Sequence, residues 1–255
     1  MNDSVVLVTG CSGHLGARIC CSLKESSDSV VVIGVDSVRP KFEEHIDHFL
    51  TLDLSLLADI PKTVDHIRNL LSEDLSVSPN FSLGLVNNAA FYGEIDGWGV
   101  DFLEETPGAW EQVFKVNLFA PFFLCQSMAS LLRAHSGRVV NVSSIAGLVA
   151  PQFDLYVDTG MTNEASYGAS KAGLNHITKW LASWFAGDVR VNGVAPGGIE
   201  RGQDISFKDR YISRTISGRM ASENDVAEVI CFLLSERSEY VNGQVIAVDG
   251  GWTAV

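Results

Sequence analysis

Tyr167 and Lys171 stand four residues apart in Tyr167-Gly168-Ala169-Ser170-Lys171, so a helix there puts a phenol and an ammonium on one face. An ammonium close to a phenol favours the phenolate and lowers its pKa. Such a phenol can take the proton of an alcohol or give one to a carbonyl. Two hydroxyls, Ser143 and Ser144, follow the apolar run at 138–142 and could hold the oxygen of a reacting molecule. Taken singly, these features are ordinary. A Tyr-x-x-x-Lys pair is common on helix surfaces, and a serine after a strand is usually a cap or turn.

A second constellation lies at the other end of the chain. Thr9-Gly10-Cys11-Ser12-Gly13-His14-Leu15-Gly16 follows an apolar run and opens a helical pattern. Glycines let the backbone turn tightly and approach a pyrophosphate, and a helix N-terminus offers free N–H groups and the positive end of its dipole. Asp36 ends the next apolar run, 26 residues after Gly10. A carboxylate there can hold both hydroxyls of an adenosine ribose and repels a 2′-phosphate, which points to NAD rather than NADP. Its neighbours Val35 and Ser37 bring no positive charge, and Arg39 lies in a turn before Pro40. Asp53 and Leu54 follow the third run. Asp53 either binds the adenine amino group or begins the next helix with Ser55 as N-cap.

These groups need a scaffold that brings them together. Short apolar runs at 5–9, 30–35, 49–52, 83–87, 138–142, 189–193 and 245–248 alternate with helical patterns near 14–25, 55–72, 108–134, 165–186 and 223–235. That alternation is the signature of a parallel sheet covered on both faces. Right-handed crossovers then leave a doubly wound, Rossmann-like α/β fold of about seven strands with helices on both faces, as a single domain over 1–255. Such folds bind ligands beyond the carboxyl ends of their strands. The polar and glycine residues gather there: 10–16, Asp36, Asp53, 87–90, Ser143, Ser144 and 196–199.

In chain order these residues resemble the short-chain dehydrogenase/reductase family, in its compact single-domain branch. Asn87-Asn88-Ala89-Ala90 is similar to the family's Asn-Asn-Ala-Gly motif, with Ala90 in place of the glycine. Asn117, in Lys115-Val116-Asn117-Leu118, matches its helix asparagine. Ser144 fits the serine position better than Ser143, whose side chain would point to the other face of a strand. Tyr167 and Lys171 match its Tyr-x-x-x-Lys pair, Pro196-Gly197-Gly198-Ile199 its Pro-Gly turn, and Asp249-Gly250-Gly251 its C-terminal signature. The glycine loop departs from the branch's usual Thr-Gly-x-x-x-Gly-x-Gly. Its middle glycine, Gly13, is one place early and His14 stands in that position. The spacing resembles the larger, sugar-nucleotide-modifying branch, but that branch carries a longer C-terminal substrate domain, and this chain ends four residues beyond Gly251.

The resemblance implies hydride transfer between NAD(H) and an alcohol or carbonyl carbon. Tyr167 would be the general acid/base. Lys171 would lower its pKa and bind the nicotinamide ribose, Ser144 would orient the substrate oxygen, and Asn117 would hold a water linking Lys171 to solvent. Gly10, Ser12, Gly13, His14, Leu15, Gly16, Asn88, Ala89, Ala90, Pro196, Gly198 and Ile199 would contact the cofactor. A homotetramer or homodimer is expected, with 119–128 and 245–255 as candidate interfaces.

Between Ser144 and Tyr167 lie 22 residues, more than the family usually places there. The excess, near 151–164, is rich in carboxylates, amides, hydroxyls and aromatics, which suits a polar, sugar-like substrate; otherwise it is a surface excursion. It resembles compact family members associated with bacterial surface-sugar (nonulosonic acid) synthesis. A second segment near 200–217 corresponds to the family's lid. It carries Arg201, Lys208, Arg210 and Arg214, which either meet an anionic group of the substrate or form the solvated face of an amphipathic helix.

Bulk properties exclude other classes. Apolar residues make up 46% of the 255 and charged residues 19%, a globular balance. The net charge of −13 lacks the basic footprint of a nucleic-acid binder. No run is long enough to span a bilayer, and no leader pattern opens the chain, so the cytoplasm is expected. The five cysteines show no CxxC pairing and the six histidines no ligand-like cluster, so no metal is expected. Two alternatives stand beside a dehydrogenase. One is a catalytically silent NAD-binding or scaffold protein, against which the complete Asn117, Ser144, Tyr167 and Lys171 set argues. The other is an epimerase or dehydratase with transient hydride transfer, which the glycine spacing raises.

Overall fold

The computed structural model describes residues 4–41, 43–73, 80–92 and 100–255. Seven strands, β1 (Ser4–Thr9), β2 (Val30–Asp36), β3 (His48–Thr51), β4 (Ser82–Asn87), β5 (Arg138–Val142), β6 (Arg190–Pro196) and β7 (Val245–Val248), form one sheet in the order β3-β2-β1-β4-β5-β6-β7. All six pairings are parallel. The chain winds outward from β1 to β3, then returns to lay β4 against β1's other edge. The expected doubly wound α/β fold is therefore present, and its switch point lies between β1 and β4.

Side chains alternate across each strand, so an unbroken apolar run feeds two cores. Val5 and Leu7 of β1, with Ile33, Leu85, Val139 and Val191, face α2 (Ile60–Glu73), α4 (Ala120–Ser127) and α6 (Ala165–Phe185). Val6 and Val8, with Val32, Val86, Val140 and Val194, face α1 (His14–Ser26) and α8 (Glu223–Leu234). A third, smaller core of Leu155, Phe207, Tyr211, Met220 and Trp252 lies apart from these two. It includes α7 (Ile205–Ile212).

The structure corrects several boundaries. β3 sits one residue earlier than the 49–52 run. β6 begins at Arg190 and continues to Pro196, because β5 and β7 pair along it on both sides. The pattern at 108–134 is not one helix. It comprises α3 (Pro107–Phe114), a wide π turn at Lys115–Phe119, α4, and α5 (Ala129–Ala134). Pro121 supplies the reason for the π turn. It has no N–H to give the Asn117 carbonyl four residues back, and its ring crowds that carbonyl, so the helix widens.

Candidate active site

Beyond the carboxyl ends of the strands lies a cavity of about 1270 Å³. Of the residues singled out from the sequence, Gly10, Ser12, Gly13, His14, Leu15, Gly16, Asp36, Asp53, Leu54, Asn88, Ala89, Ala90, Ser144, Tyr167, Lys171, Pro196, Gly198 and Ile199 all line it. Asn117 does not; it is fully buried behind the wall.

One end of the cavity is built on the β1–α1 loop. Gly10 has φ +66°, and a Cβ there would stand 2.8 Å from the Ala89 Cα, so the β1 and β4 loops touch backbone to backbone. A Cβ on Gly16 would fall 2.0 Å from the Gly10 carbonyl oxygen. Thr9 and Asn88 lock the two loops. The Thr9 hydroxyl accepts the N–H groups of Asn88 and Ala89, and the Asn88 amide donates to the Thr9 and Gly10 carbonyls. Helix α1 has no side-chain cap and no acidic residue in its first turn. Among the described residues no acceptor meets the N–H groups of His14 and Leu15. Exposed N–H groups at a helix start, beside Gly13, where a Cβ would meet nothing nearer than the Gly10 carbonyl oxygen at 3.5 Å, fit a dinucleotide pyrophosphate. Asp36 is oriented by the same loop, accepting from the Ser12 N–H at 3.0 Å and the Val38 N–H at 3.2 Å. Asp53 lines the cavity and accepts the Ser55 N–H at 2.9 Å, but Ser55 is not an N-cap: the next helical turn begins at Leu57, with Leu56 in the N-cap position.

The other end carries the acid–base groups. The two serines part company as alternation requires. Ser143 is buried and donates to the Lys171 carbonyl at 3.3 Å, whereas Ser144 keeps its hydroxyl beside Tyr167 and accepts the Ala146 N–H. Helix α6 carries Tyr167 and Lys171 on one face, with the Lys171 Nζ 5.7 Å from the Tyr167 ring centre. That nitrogen is 2% exposed as a residue and donates to the Val142 carbonyl at 2.8 Å. Tyr92 stacks on Tyr167 with ring centres 4.6 Å apart, and their hydroxyls are 3.2 Å apart.

Burial dominates the electrostatics of the pair in the cofactor-free protein. Burial without a carboxylate partner pulls the Lys171 pKa down to about 7, so at neutral pH its charge is only partly present. Burial, then the neighbouring Tyr92, hold the Tyr167 phenol well above its usual range. The Ser144 hydroxyl and the charge of Arg201 act the other way. In the protein alone, burial thus raises the phenol and lowers the ammonium. Asn117 is fully engaged through its side chain. Its side-chain oxygen accepts the Phe91 N–H at 2.7 Å, while its amide donates to the Phe91 carbonyl and the Ser170 hydroxyl. The side chain clamps the loop after β4 that delivers Tyr92. The Asn117 backbone carbonyl receives no N–H from Pro121, four residues on.

The 151–164 segment contributes Tyr156, Met161, Thr162, Asn163 and Glu164 to the cavity; the rest of it does not line it. Instead it docks on α7. Arg210 donates to the carbonyls of Leu155 at 2.9 Å and Val157 at 2.6 Å, Arg214 pairs with Asp154, and Tyr156 packs on Phe207 with ring centres 5.4 Å apart. Tyr211 links this unit to the site by accepting the Gly198 N–H at 2.6 Å. Tyr92 and Tyr211 escaped the sequence reading as site residues, since nothing in their local spacing marks them, whereas Arg201, one of the four cations of the 200–217 segment, lines the cavity.

The family model described as enoyl-(acyl carrier protein) reductase matches residues 34–253. The flagellin modification protein A of Campylobacter coli is 29% identical over 99% of both chains. The 2-dehydro-3-deoxy-D-gluconate 5-dehydrogenase of Escherichia coli is 30% identical, over all of this chain and 97% of that one. Among solved structures, a short-chain dehydrogenase from Leptospira borgpetersenii with NAD+ bound superposes with a TM-score of 0.84 at 29% identity, covering 99% of this chain and 94% of that one. A protein from Beutenbergia cavernae assigned as an NAD(P)-dependent gluconate 5-dehydrogenase, with NADP bound, gives 0.83 at 27%, covering 100% and 98%.

Proposed function

The chain belongs to the short-chain dehydrogenase/reductase family, and we propose that it is an NAD-dependent dehydrogenase or carbonyl reductase of a polar, sugar-like small molecule. The observation that carries this is the convergence of Ser144, Tyr167 and Lys171 on the same cavity as the open N-terminus of α1. Asp36, turned to the cavity with no cation paired to it among the described residues, supports NAD over NADP. When bound, the nicotinamide accepts or supplies the hydride. The protein's part is placement and proton handling. The Ser144 hydroxyl holds the substrate oxygen, and the Tyr167 hydroxyl exchanges a proton with it. The Lys171 ammonium, fixed on the Val142 carbonyl by one of its hydrogens, has two more to give to ribose hydroxyls. Residues 161–164 and Tyr156 line the substrate side, with 200–217 as the lid. A silent scaffold would not need this complete set.

Phe119 and Phe123 of the helical stretch, and Trp180 and Trp184 of α6, expose large aromatic surface, which supports a homo-oligomer built on these helices. Among the described residues no helix is long and apolar enough to cross a membrane, in keeping with a cytoplasmic enzyme. The test is a substrate screen with NAD+ or NADH read at the NADH absorbance band, with Tyr167→Phe as control. That variant should keep NADH affinity and lose turnover by about 10²–10⁴-fold. Activity within a few-fold of the parent would refute the assignment. A product formed with no net change in NADH would point to an epimerase.

A further inference from the structure

The four cations of the 200–217 segment are not equivalent. Lys208 pairs with Glu200, Arg210 holds the carbonyls of Leu155 and Val157, and Arg214 pairs with Asp154. These three tie elements of the protein to one another. Arg201 differs. It lines the cavity, and its charge acts on Tyr167. Its head is steered by one contact, Nε to the Glu223 carboxylate at 2.9 Å. Its backbone is pinned by Gln203, whose side-chain oxygen accepts the Arg201 N–H at 2.8 Å and whose amide donates to the Ile199 carbonyl at 2.6 Å. The two Nη groups have no protein acceptor among the described residues. Apart from Lys171 and His14, Arg201 is the cationic residue among the described residues that line the cavity.

A guanidinium held by one edge presents its remaining N–H groups as a planar fork that matches a carboxylate. The pyrophosphate-binding N–H groups belong to the β1–α1 loop, whereas Arg201 acts on the reacting phenol, so its partner is at the substrate end. Glu223 already offsets part of its charge, and the buried Glu164 faces the same cavity. That balance suits a monoanion better than a phosphate dianion.

We propose that Arg201 anchors a carboxylate of the substrate, so that the enzyme acts on a small hydroxy or oxo acid rather than on a neutral polyol. The proposal rests on the dehydrogenase reading above. With Arg201 on the carboxylate and Ser144 and Tyr167 on the reacting oxygen, the substrate is held at two points and a single carbon is presented for reaction.

The test is calorimetric titration of the NADH complex with D-gluconate, meso-tartrate and D-glycerate, each beside its neutral partner glucitol, erythritol or glycerol, and with 6-phosphogluconate. At least one acid should bind tenfold or more tightly than its neutral partner. Arg201→Gln should weaken that acid at least tenfold while leaving the neutral partner and NADH unchanged, and Arg201→Lys should restore part of the loss. Tyr167→Phe should still bind the acid. The anchor is overturned if no acid binds, if Arg201→Gln binds it as the parent does, or if acid and neutral partner weaken alike. A preference for 6-phosphogluconate that depends on Arg201 would replace the carboxylate with a phosphate. Failure of NADH itself to bind would instead overturn the dehydrogenase reading, and the anchor with it.

Discussion

Lys171→Met tests the electrostatics of the site through stability rather than activity. The side chains are similar in length, so the buried volume is nearly kept, while the charge is removed. Lys171 is 2% exposed and its pKa falls from 10.5 to about 7. A drop of that size corresponds to about 5 kcal/mol against burying the ammonium. Below pH 7 the lysine is protonated in both folded and unfolded chains, and the full cost is present. Between pH 7 and 10.5 the unfolded chain binds the proton and the folded one does not, so the parent gains stability as pH rises and the cost fades. Losing the hydrogen bond to the Val142 carbonyl takes back about 1–2 kcal/mol. The cofactor-free variant should therefore be about 3 kcal/mol more stable than the parent at pH 6.5. At about 2–4 °C per kcal/mol for a chain of this size, that is a gain of roughly 6–12 °C in Tm. By pH 9 the advantage should shrink by about 3 kcal/mol. Scanning calorimetry of both proteins from pH 6 to 9 without cofactor measures this. A variant that is less stable at pH 6.5, or a difference that does not change with pH, would refute the claim that Lys171 is a buried, costly cation kept for the reaction.

Asp36→Ser should lower NAD+ affinity and admit NADP, read by fluorescence titration with both reduced cofactors; a parent that binds NADPH as tightly as NADH would end the ribose argument. Arg210→Met frees the Leu155 and Val157 carbonyls and loosens the docked segment, so turnover should fall while NADH affinity holds. Removing 154–160 should do the same more severely, and a shortened protein that folds, binds NADH and turns over normally would make the segment a surface excursion.

The fold was legible because seven apolar runs and intervening helical periods leave few ways to cover a parallel sheet on both faces. Most of the cavity was legible for a related reason. In such a sheet the residues after each strand share one edge, so Gly10, Asp36, Ser144 and Pro196 converge whatever the details of the helices. The break in the 108–134 helix was written in Pro121, yet its position as a π turn at Asn117 depends on how the neighbouring helices pack. The sequence by itself thus determined the architecture, the glycine cradle and the tyrosine–lysine pair, since each follows from local backbone geometry and periodicity. Tertiary structure alone decided which charges are committed. Arg210 and Arg214 bind a segment more than fifty residues away in sequence and Arg201 faces the cavity. Tyr92 reaches Tyr167 from a different strand loop, and Lys171 is deep enough for burial to pull its pKa down to about 7. Contacts between distant segments and the depth of a charge below the surface leave no periodic trace in the chain, which is why the sequence could name the arginines and Lys171 but not assign their partners, and did not mark Tyr92 at all.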